Sequence, residues 1–226
     1  MTTPSFAQAV PVRSGVERAT LVRRTYAVVF LGIIITCAGA AFAMTQPSLM
    51  NAVAAHPFIT MIAVFAPLIL VMRAPRAFPQ NVILTGLFTF AEGIFLAPLL
   101  VVAERTQPGV TGQAAMITLG TFGALTAYVT FSRRDFSAWG SFFTIGLFVL
   151  LITSIINFFV RSQAMGLYLS GVAVFVFGGL LVFDTWRILK SGQYGEDDYV
   201  AAAVQIYLDL LNMFLAVLSL LGGRRR

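Results

Sequence analysis

The chain has 226 residues, of which 58% are hydrophobic and 11% charged, and its mean hydropathy is +0.88. Soluble domains carry about 25% charged residues, so this composition excludes an ordinary soluble fold and indicates an integral membrane protein. The net charge of +6 accompanies few acids, and we attribute it to membrane topology rather than to nucleic-acid binding. A single cysteine, Cys37, and a single histidine, His56, exclude an internal disulfide and a histidine-based metal cluster.

The N-terminal residues 1–24 contain four arginines and no continuous apolar core, which argues against a secretory signal peptide. We expect a short cytosolic arm over 1–24 and one membrane domain over 25–226.

Seven apolar runs approach the ~20 residues that a membrane helix needs. The second run is the shortest, contains Pro67 and begins at Pro57 or as early as Leu49. Short connections predict a bundle in which successive helices are mostly neighbours, so the fold class is an all-α integral membrane bundle of seven helices. The predicted runs are 26–44, 57–72, 82–103, 114–131, 139–160, 165–188 and 199–221.

Loop charges predict the orientation, because basic residues are retained on the cytosolic side. The opposite loops carry only Arg105 and Arg161, so the N-terminus is expected in the cytosol. Seven spans then place residues 224–226 outside, and either these charges are overridden or the last run does not fully cross. The basic residues on the cytosolic side are Arg13, Arg18, Arg23, Arg24, Arg73, Arg76, Arg133, Arg134, Arg187 and Lys190.

Small residues at helical spacing predict positions where helices approach closely. Gly120 and Ala124 lie four apart in the fourth run, and Gly171, Gly178 and Gly179 mark the sixth run. We interpret this spacing as structural.

Three acids lie inside apolar runs, namely Glu92, Asp184 and Asp209. An ionised residue in a membrane helix costs about 2.5–3.5 kcal/mol on insertion scales and usually faces a partner or a water-filled path. These three acids are therefore the candidate functional residues.

The last run carries a stripe of small and polar residues spaced alternately three and four apart, which is one face of a helix. Since a polar face turns away from lipid, the last helix is expected in the middle of the bundle, with Gln205, Asp209 and Asn212 along an ion pathway. The stripe consists of Ala202, Gln205, Asp209, Asn212, Ala216 and Ser219.

Asp184 and Asp209 are expected to meet. Asp184 lies just before the charged loop, whereas Asp209 lies roughly 15 Å into its run. If the sixth helix continues past Arg187, the two acids lie at the same depth in the membrane. Touching carboxyls cannot both ionise cheaply and share a proton, which makes them a pH sensor, and they are also the oxygen ligands that Ca²⁺ prefers. Arg73, at the end of the second run, is a candidate counter-charge. The alternative is two unrelated acids, each with its own partner.

Glu92 shares a helix face with Thr85 and Thr89, and Pro98 follows two turns later. Because proline removes a helix hydrogen bond, we interpret Glu92 as an inward acid beside a kink and a second station on an ion path. The alternative is a protonated, hydrogen-bonded core glutamate.

The segments FDTWRI around Asp184, IYLDLLNMF around Asp209 and AEG around Glu92 resemble the transmembrane Bax inhibitor motif family, also called the Bax inhibitor-1 family. The GGRRR terminus resembles its bacterial branch. The resemblance implies a bundle with the last helix at its centre and a pH-sensitive Ca²⁺ leak in the bacterial inner membrane. It also implies that Asp184 and Asp209 are the pH sensor, and that Arg73, or the neighbouring Arg76, is a latch onto them.

A second hypothesis is a non-catalytic membrane stress protein that binds and modulates a membrane protease, a partner that the resemblance implies. An intramembrane aspartyl protease is disfavoured, because Asp209 follows Ile-Tyr-Leu rather than the glycine-x-glycine of those enzymes. We therefore expect no enzymatic activity. The expected partners are the lipid bilayer, protons and Ca²⁺ as a permeant or bound ion, with no other cofactor and no nucleic acid.

Overall fold

The fold is all α-helical over the residues that the structure describes. The computed structural model covers residues 15–73 and 78–223, and at 65 and 71–73 the backbone alone is described. A π-helical turn, Arg187–Ser191, and a 3₁₀ turn, Glu196–Asp198, connect α7 to α8. The helices are α1 Gly15–Met44, α2 Pro47–Ala55, α3 Pro57–Arg73, α4 Gln80–Thr106, α5 Val110–Phe131, α6 Ser137–Val160, α7 Gln163–Trp186 and α8 Tyr199–Gly222.

Six helices (α1, α4, α5, α6, α7 and α8) are long and apolar enough to cross a membrane, and α2 with α3 makes a seventh span if the pair is counted as one. This confirms the prediction of an all-α multi-span membrane protein. The second predicted run, 57–72, differs from a simple span, because α2 precedes α3 at a bend of 101°. Pro57 has no backbone N–H to continue the helix, and His56 leaves the helical conformation just before it.

The first helix begins at Gly15, inside the predicted arm 1–24, while residues 1–14 lie outside the described part of the chain. Most of residues 15–24 are exposed, and the Arg24 guanidinium lies 5.8 Å from the centre of the Tyr199 ring. Charge disfavours burial in lipid but does not prevent helix formation, so the helix extends beyond its apolar part.

The last helix is central, as its polar stripe predicted. α8 packs against α1, α4, α5 and α7. It buries residues around its circumference, including Ile206 and Met213, together with Asp209 on the stripe. By contrast, α6 packs mainly against α7 and exposes apolar side chains such as Phe148. The polar face of α8 is therefore enclosed by other helices.

The closest helix approach is between α1 and α4, not at the predicted glycines of the fourth run. A Cβ on Gly39 would lie 2.2 Å from the Phe90 carbonyl oxygen, and one on Gly93 would lie 2.1 Å from the Thr36 carbonyl oxygen. Gly120 and Gly171 have no neighbour within 4 Å of such a Cβ. Of the glycines predicted in the sixth run, Gly179 does pack closely, since a Cβ there would lie 2.2 Å from the Phe143 ring. Spacing alone did not distinguish Gly179 from Gly120 and Gly171, because it does not specify which helix lies opposite.

Gly93→Ala should destabilise the protein by about 1–3 kcal/mol, because the added methyl group forces α1 and α4 apart. The matched control is Gly120→Ala, where the open space should leave stability unchanged or raise it by up to about 1 kcal/mol through helix propensity. Thermal unfolding in detergent measures both, and equal Tm values for the two variants would contradict this account of the α1–α4 contact.

Candidate functional site

Asp184 and Asp209 meet between α7 and α8. Asp184 lies two residues before the end of α7, and the π-helical turn continues the chain helically to Ser191. Both residues are buried, with 8% and 6% of their surfaces exposed, and their carboxyl groups lie within hydrogen-bonding reach of each other. The structure therefore brings together the two acids that the sequence paired.

A hydrogen bond between two carboxyl groups requires one proton shared between their oxygens. The second oxygen of Asp209, Oδ2, is buried and has no hydrogen-bond partner among the described residues. Two ionised carboxylates in this contact would repel strongly, because a buried site screens charge poorly. The arrangement can accommodate a proton or a cation, and it disfavours two bare negative charges.

Arg187 supplies a positive charge that the sequence analysis had assigned only to a loop. Its Nη1 lies 3.2 Å from Asp184 Oδ1 and 3.3 Å from Gln205 Oε1. Its guanidinium carbon lies 5.3 Å from the centre of the Phe183 ring and 4.8 Å from that of Tyr194. The i, i+3 spacing of Asp184 and Arg187 on one helical path is the signal that could have revealed this pair.

The predicted latch, Arg73, ends α3, but its side chain lies outside what the structure describes, as do residues 74–77 with Arg76. The latch therefore stays a prediction.

Tyr194 closes the site from the α7–α8 connection. Its hydroxyl donates to Gln205 Oε1 at 2.5 Å. Burial raises the pKa of Tyr194 to about 12, with the negative charges of Asp184 and Asp198 acting in the same direction and Arg187 opposing them. Tyr194 consequently remains a hydrogen-bond donor throughout the physiological pH range.

Lys190 ties the π-helical turn to α5. Its Nζ donates to the carbonyl oxygen of Val129 at 2.7 Å and to that of Ser132. The last carbonyls of a helix have no partner within it and carry partial negative charge, so an ammonium group there stabilises the helix end. Lys190 is thus occupied by α5 rather than by the aspartates.

Glu92 lies apart from the aspartate pair. It is 7% exposed and makes no hydrogen bond with any described residue. The hydroxyls of Thr85 and Thr89 share its face, but they donate to backbone carbonyls of their own helix, at 2.8 and 3.2 Å. The structure thus confirms that Glu92 is buried without placing it in the same site as Asp184 and Asp209.

The polar stripe of α8 divides into parts with different partners. Gln205 joins the site through Arg187 and Tyr194, whereas the Asn212 amide donates to the Leu208 carbonyl of its own helix at 2.7 Å. Further along, Ser219 bonds Ser170 of α7 at 2.8 Å. Of the two predicted pathway amides, Gln205 therefore contacts the charged site directly.

A cavity of about 190 Å³ lies between α1, α4, α5 and α8. Tyr207 lines it, and the Tyr207 hydroxyl is bonded to Thr36 at 2.7 Å. A second cavity, of about 460 Å³, shares Leu100 and Thr111 with the first and reaches Arg105. Neither cavity is lined by the aspartates.

The described residues contain no group of three or more His, Cys, Asp or Glu side chains close enough to hold a metal ion. The pair and Gln205 offer carboxylate and amide oxygens, and Ca²⁺ takes six to eight oxygens. A calcium ion at this position would therefore retain water or backbone ligands, as expected of a transient site.

These features define a multi-span helical membrane protein with a buried carboxyl pair between its last two helices. The chain matches the family described as inhibitor of apoptosis-promoting Bax1 over residues 18–226, and it belongs to this Bax inhibitor family.

Relatives occur in eukaryotes, bacteria and viruses. The chain is 31% identical over 210 residues to Bax inhibitor 1 of Schizosaccharomyces pombe, covering 91% of this chain and 77% of the relative. It is 30% identical to an uncharacterized membrane protein of Vibrio cholerae, covering 98% and 97%. A Golgi anti-apoptotic protein of vaccinia virus is 28% identical, covering 90% and 85%.

Asp209→Asn should make the stability of the protein less dependent on pH. The asparagine amide can donate to Asp184 at any pH, whereas the wild-type hydrogen bond is lost when the shared proton leaves and two negative charges remain. As the pH rises and the pair loses its proton, the wild-type Tm should therefore fall by more than that of the variant. Asp197→Asn, on the exposed 3₁₀ turn, is the control and should behave as wild type. Equal slopes for all three proteins would refute a shared proton.

Proposed function

We propose that the protein is a pH-sensitive leak for Ca²⁺ in the bacterial inner membrane, gated by Asp184 and Asp209. The observation that carries this proposal is the buried contact between two carboxyl groups on adjacent membrane helices. Such a contact changes its charge with pH and can exchange a proton for a cation. The role is non-enzymatic, and none of the three relatives described above is named as an enzyme.

The gating step follows from the charge of the pair. With its proton, the pair links α7 to α8 and the path is closed. Without the proton, the two carboxylates repel each other and attract a cation, so α7 and α8 separate or a hard cation such as Ca²⁺ enters. Flux should therefore rise as the pair loses its proton.

The route leads from the two cavities, past Tyr207, to the aspartate pair. The loop charges favour a cytosolic N-terminus, which places the α7–α8 connection in the cytosol and the cavities toward the outer side. Opening of this route requires the hydrogen bond between Tyr207 and Thr36 to break. Glu92 is proposed as a second cation station, and Asn212 as a further polar group along α8.

The names of the eukaryotic and viral relatives refer to Bax inhibition and to an anti-apoptotic role. A leak that is controlled by protons needs no apoptotic partner and suits a bacterial membrane equally well. The predicted protease partner rests on family resemblance alone, and no contact in the described part of the chain favours it.

Purified protein in liposomes should pass Ca²⁺ at a rate that rises with pH, and Asp209→Asn should weaken that pH dependence. Entrapped calcium indicator measures the flux, with K⁺ flux measured in parallel for selectivity. Asp197→Asn is the control for loss of an acid outside the site. A pH profile of Asp209→Asn identical to that of wild type would exclude the pair as the sensor.

Glu92→Gln tests the second station separately. Removing its charge should lower the maximal Ca²⁺ flux by roughly tenfold, which corresponds to about 1.4 kcal/mol, while the pH midpoint stays with the aspartate pair. A shifted midpoint with unchanged maximal flux would instead assign Glu92 to the sensor.

A further inference from the structure

Arg187 stands where a cation bound to the aspartate pair would stand. One nitrogen atom, Nη1, lies 3.2 Å from a carboxylate oxygen of Asp184 and 3.3 Å from the amide oxygen of Gln205. Carboxylate and amide oxygens are the ligand types that Ca²⁺ uses. The guanidinium therefore bonds two of the oxygens that a calcium ion at the pair would need as ligands.

The guanidinium is also held by groups that do not depend on Asp184. It lies against the rings of Phe183 and Tyr194, and its Nε donates to Gln193 at 3.3 Å. Aromatic faces attract cations, and the arginine fork can satisfy several acceptors at once. These contacts keep Arg187 close to the pair even when its bond to Asp184 breaks.

Arg187 lies at the boundary between the buried site and the α7–α8 connection. About a quarter of its side chain is exposed, 24%, compared with 12% for Asp184. A cation that approaches from the connection thus meets the guanidinium before it meets the carboxylates.

Other charged and titratable groups around this position are engaged differently. Lys190 is bonded to carbonyls of α5, and Arg24 of α1 lies over the Tyr199 ring. Tyr194 donates to Gln205, and Asp198 accepts from the Gly195 amide. Asp209 faces Asp184 from α8. Among the described residues, Arg187 is therefore the cation bonded to Asp184 of the pair.

We propose that Arg187 is a tethered counter-cation, which occupies the cation position of the aspartate pair, closes its loop-side entrance and must be displaced by Ca²⁺. This inference deepens the proposed function and rests on it. It assigns Arg187 a positioning and competing role, distinct from the proton sensing of the aspartates.

Equilibrium dialysis of the purified protein with radioactive calcium, at about pH 8.5, tests the competition directly. Arg187→Gln removes the competing charge and should tighten Ca²⁺ binding on the order of tenfold. Arg187→Lys retains the charge but loses the planar fork, so its affinity should lie between those of the wild type and the glutamine variant. It also keeps the test valid if Arg187→Gln folds poorly.

Arg134→Gln is the matched control, because it removes one exposed arginine at the same end of the bundle, beyond the end of α5. It should leave Ca²⁺ affinity unchanged, and an equal gain in Arg134→Gln and Arg187→Gln would reduce the effect to general electrostatics and overturn the inference. Asp184→Asn should abolish binding at the pair.

Flux in liposomes separates this inference from the proposed function. Unchanged affinity in Arg187→Gln, in a protein whose Ca²⁺ flux still depends on Asp209, would overturn the tethered cation and leave the leak intact. Tighter binding in Arg187→Gln without flux in any variant would uphold the competition and refute the leak. Tighter binding together with greater flux at about pH 8.5 is the result expected if both are correct.

Discussion

The buried contact between Asp184 and Asp209 is the constraint on which the arrangement of the last two helices depends. Removing carboxyl groups from water is unfavourable unless each finds a proton, a donor or a cation. The protein meets this need in part with Arg187, whose guanidinium bonds both Asp184 and Gln205. α8 is therefore enclosed by helices, because lipid on this face would leave the acids without partners.

The connection between α7 and α8 belongs functionally to the site. The π-helical turn carries Arg187 inward to the aspartates and Lys190 outward to α5, and Tyr194 lies over the Gln205 amide. π-Helical turns are rare and occur often at functional sites. Arg187 and Lys190, three residues apart on this turn, thus contact different partners, Asp184 and the end of α5.

The sequence was sufficient to predict the central helix and the aspartate pair, because both follow from local signals. These signals are the alternating spacing of three and four residues in the α8 stripe and the cost of placing an acid in an apolar run. The i, i+3 spacing of Asp184 and Arg187 indicates their ion pair, but the contact of Arg187 with Gln205 depends on the packing of α7 against α8, which periodicity does not reveal. Spacing did not separate the glycines that pack closely from those that do not, since the contacts of Gly39 and Gly93 depend on the pairing of α1 with α4 and that of Gly179 on Phe143 of α6. The bend before Pro57 was visible only as an uncertain start of the second run.

The two hydrogen bonds from Lys190 to the end of α5 join regions that are far apart. α5 has 22 residues, a straight rod of about 33 Å at 1.5 Å per residue. One end is fastened to the turn beside the aspartates, and near its other end Thr111 and Thr118 form part of the cavity wall. Because a helix is stiff along its axis, a displacement of the turn would shift α5 as a unit and with it the wall of the cavity.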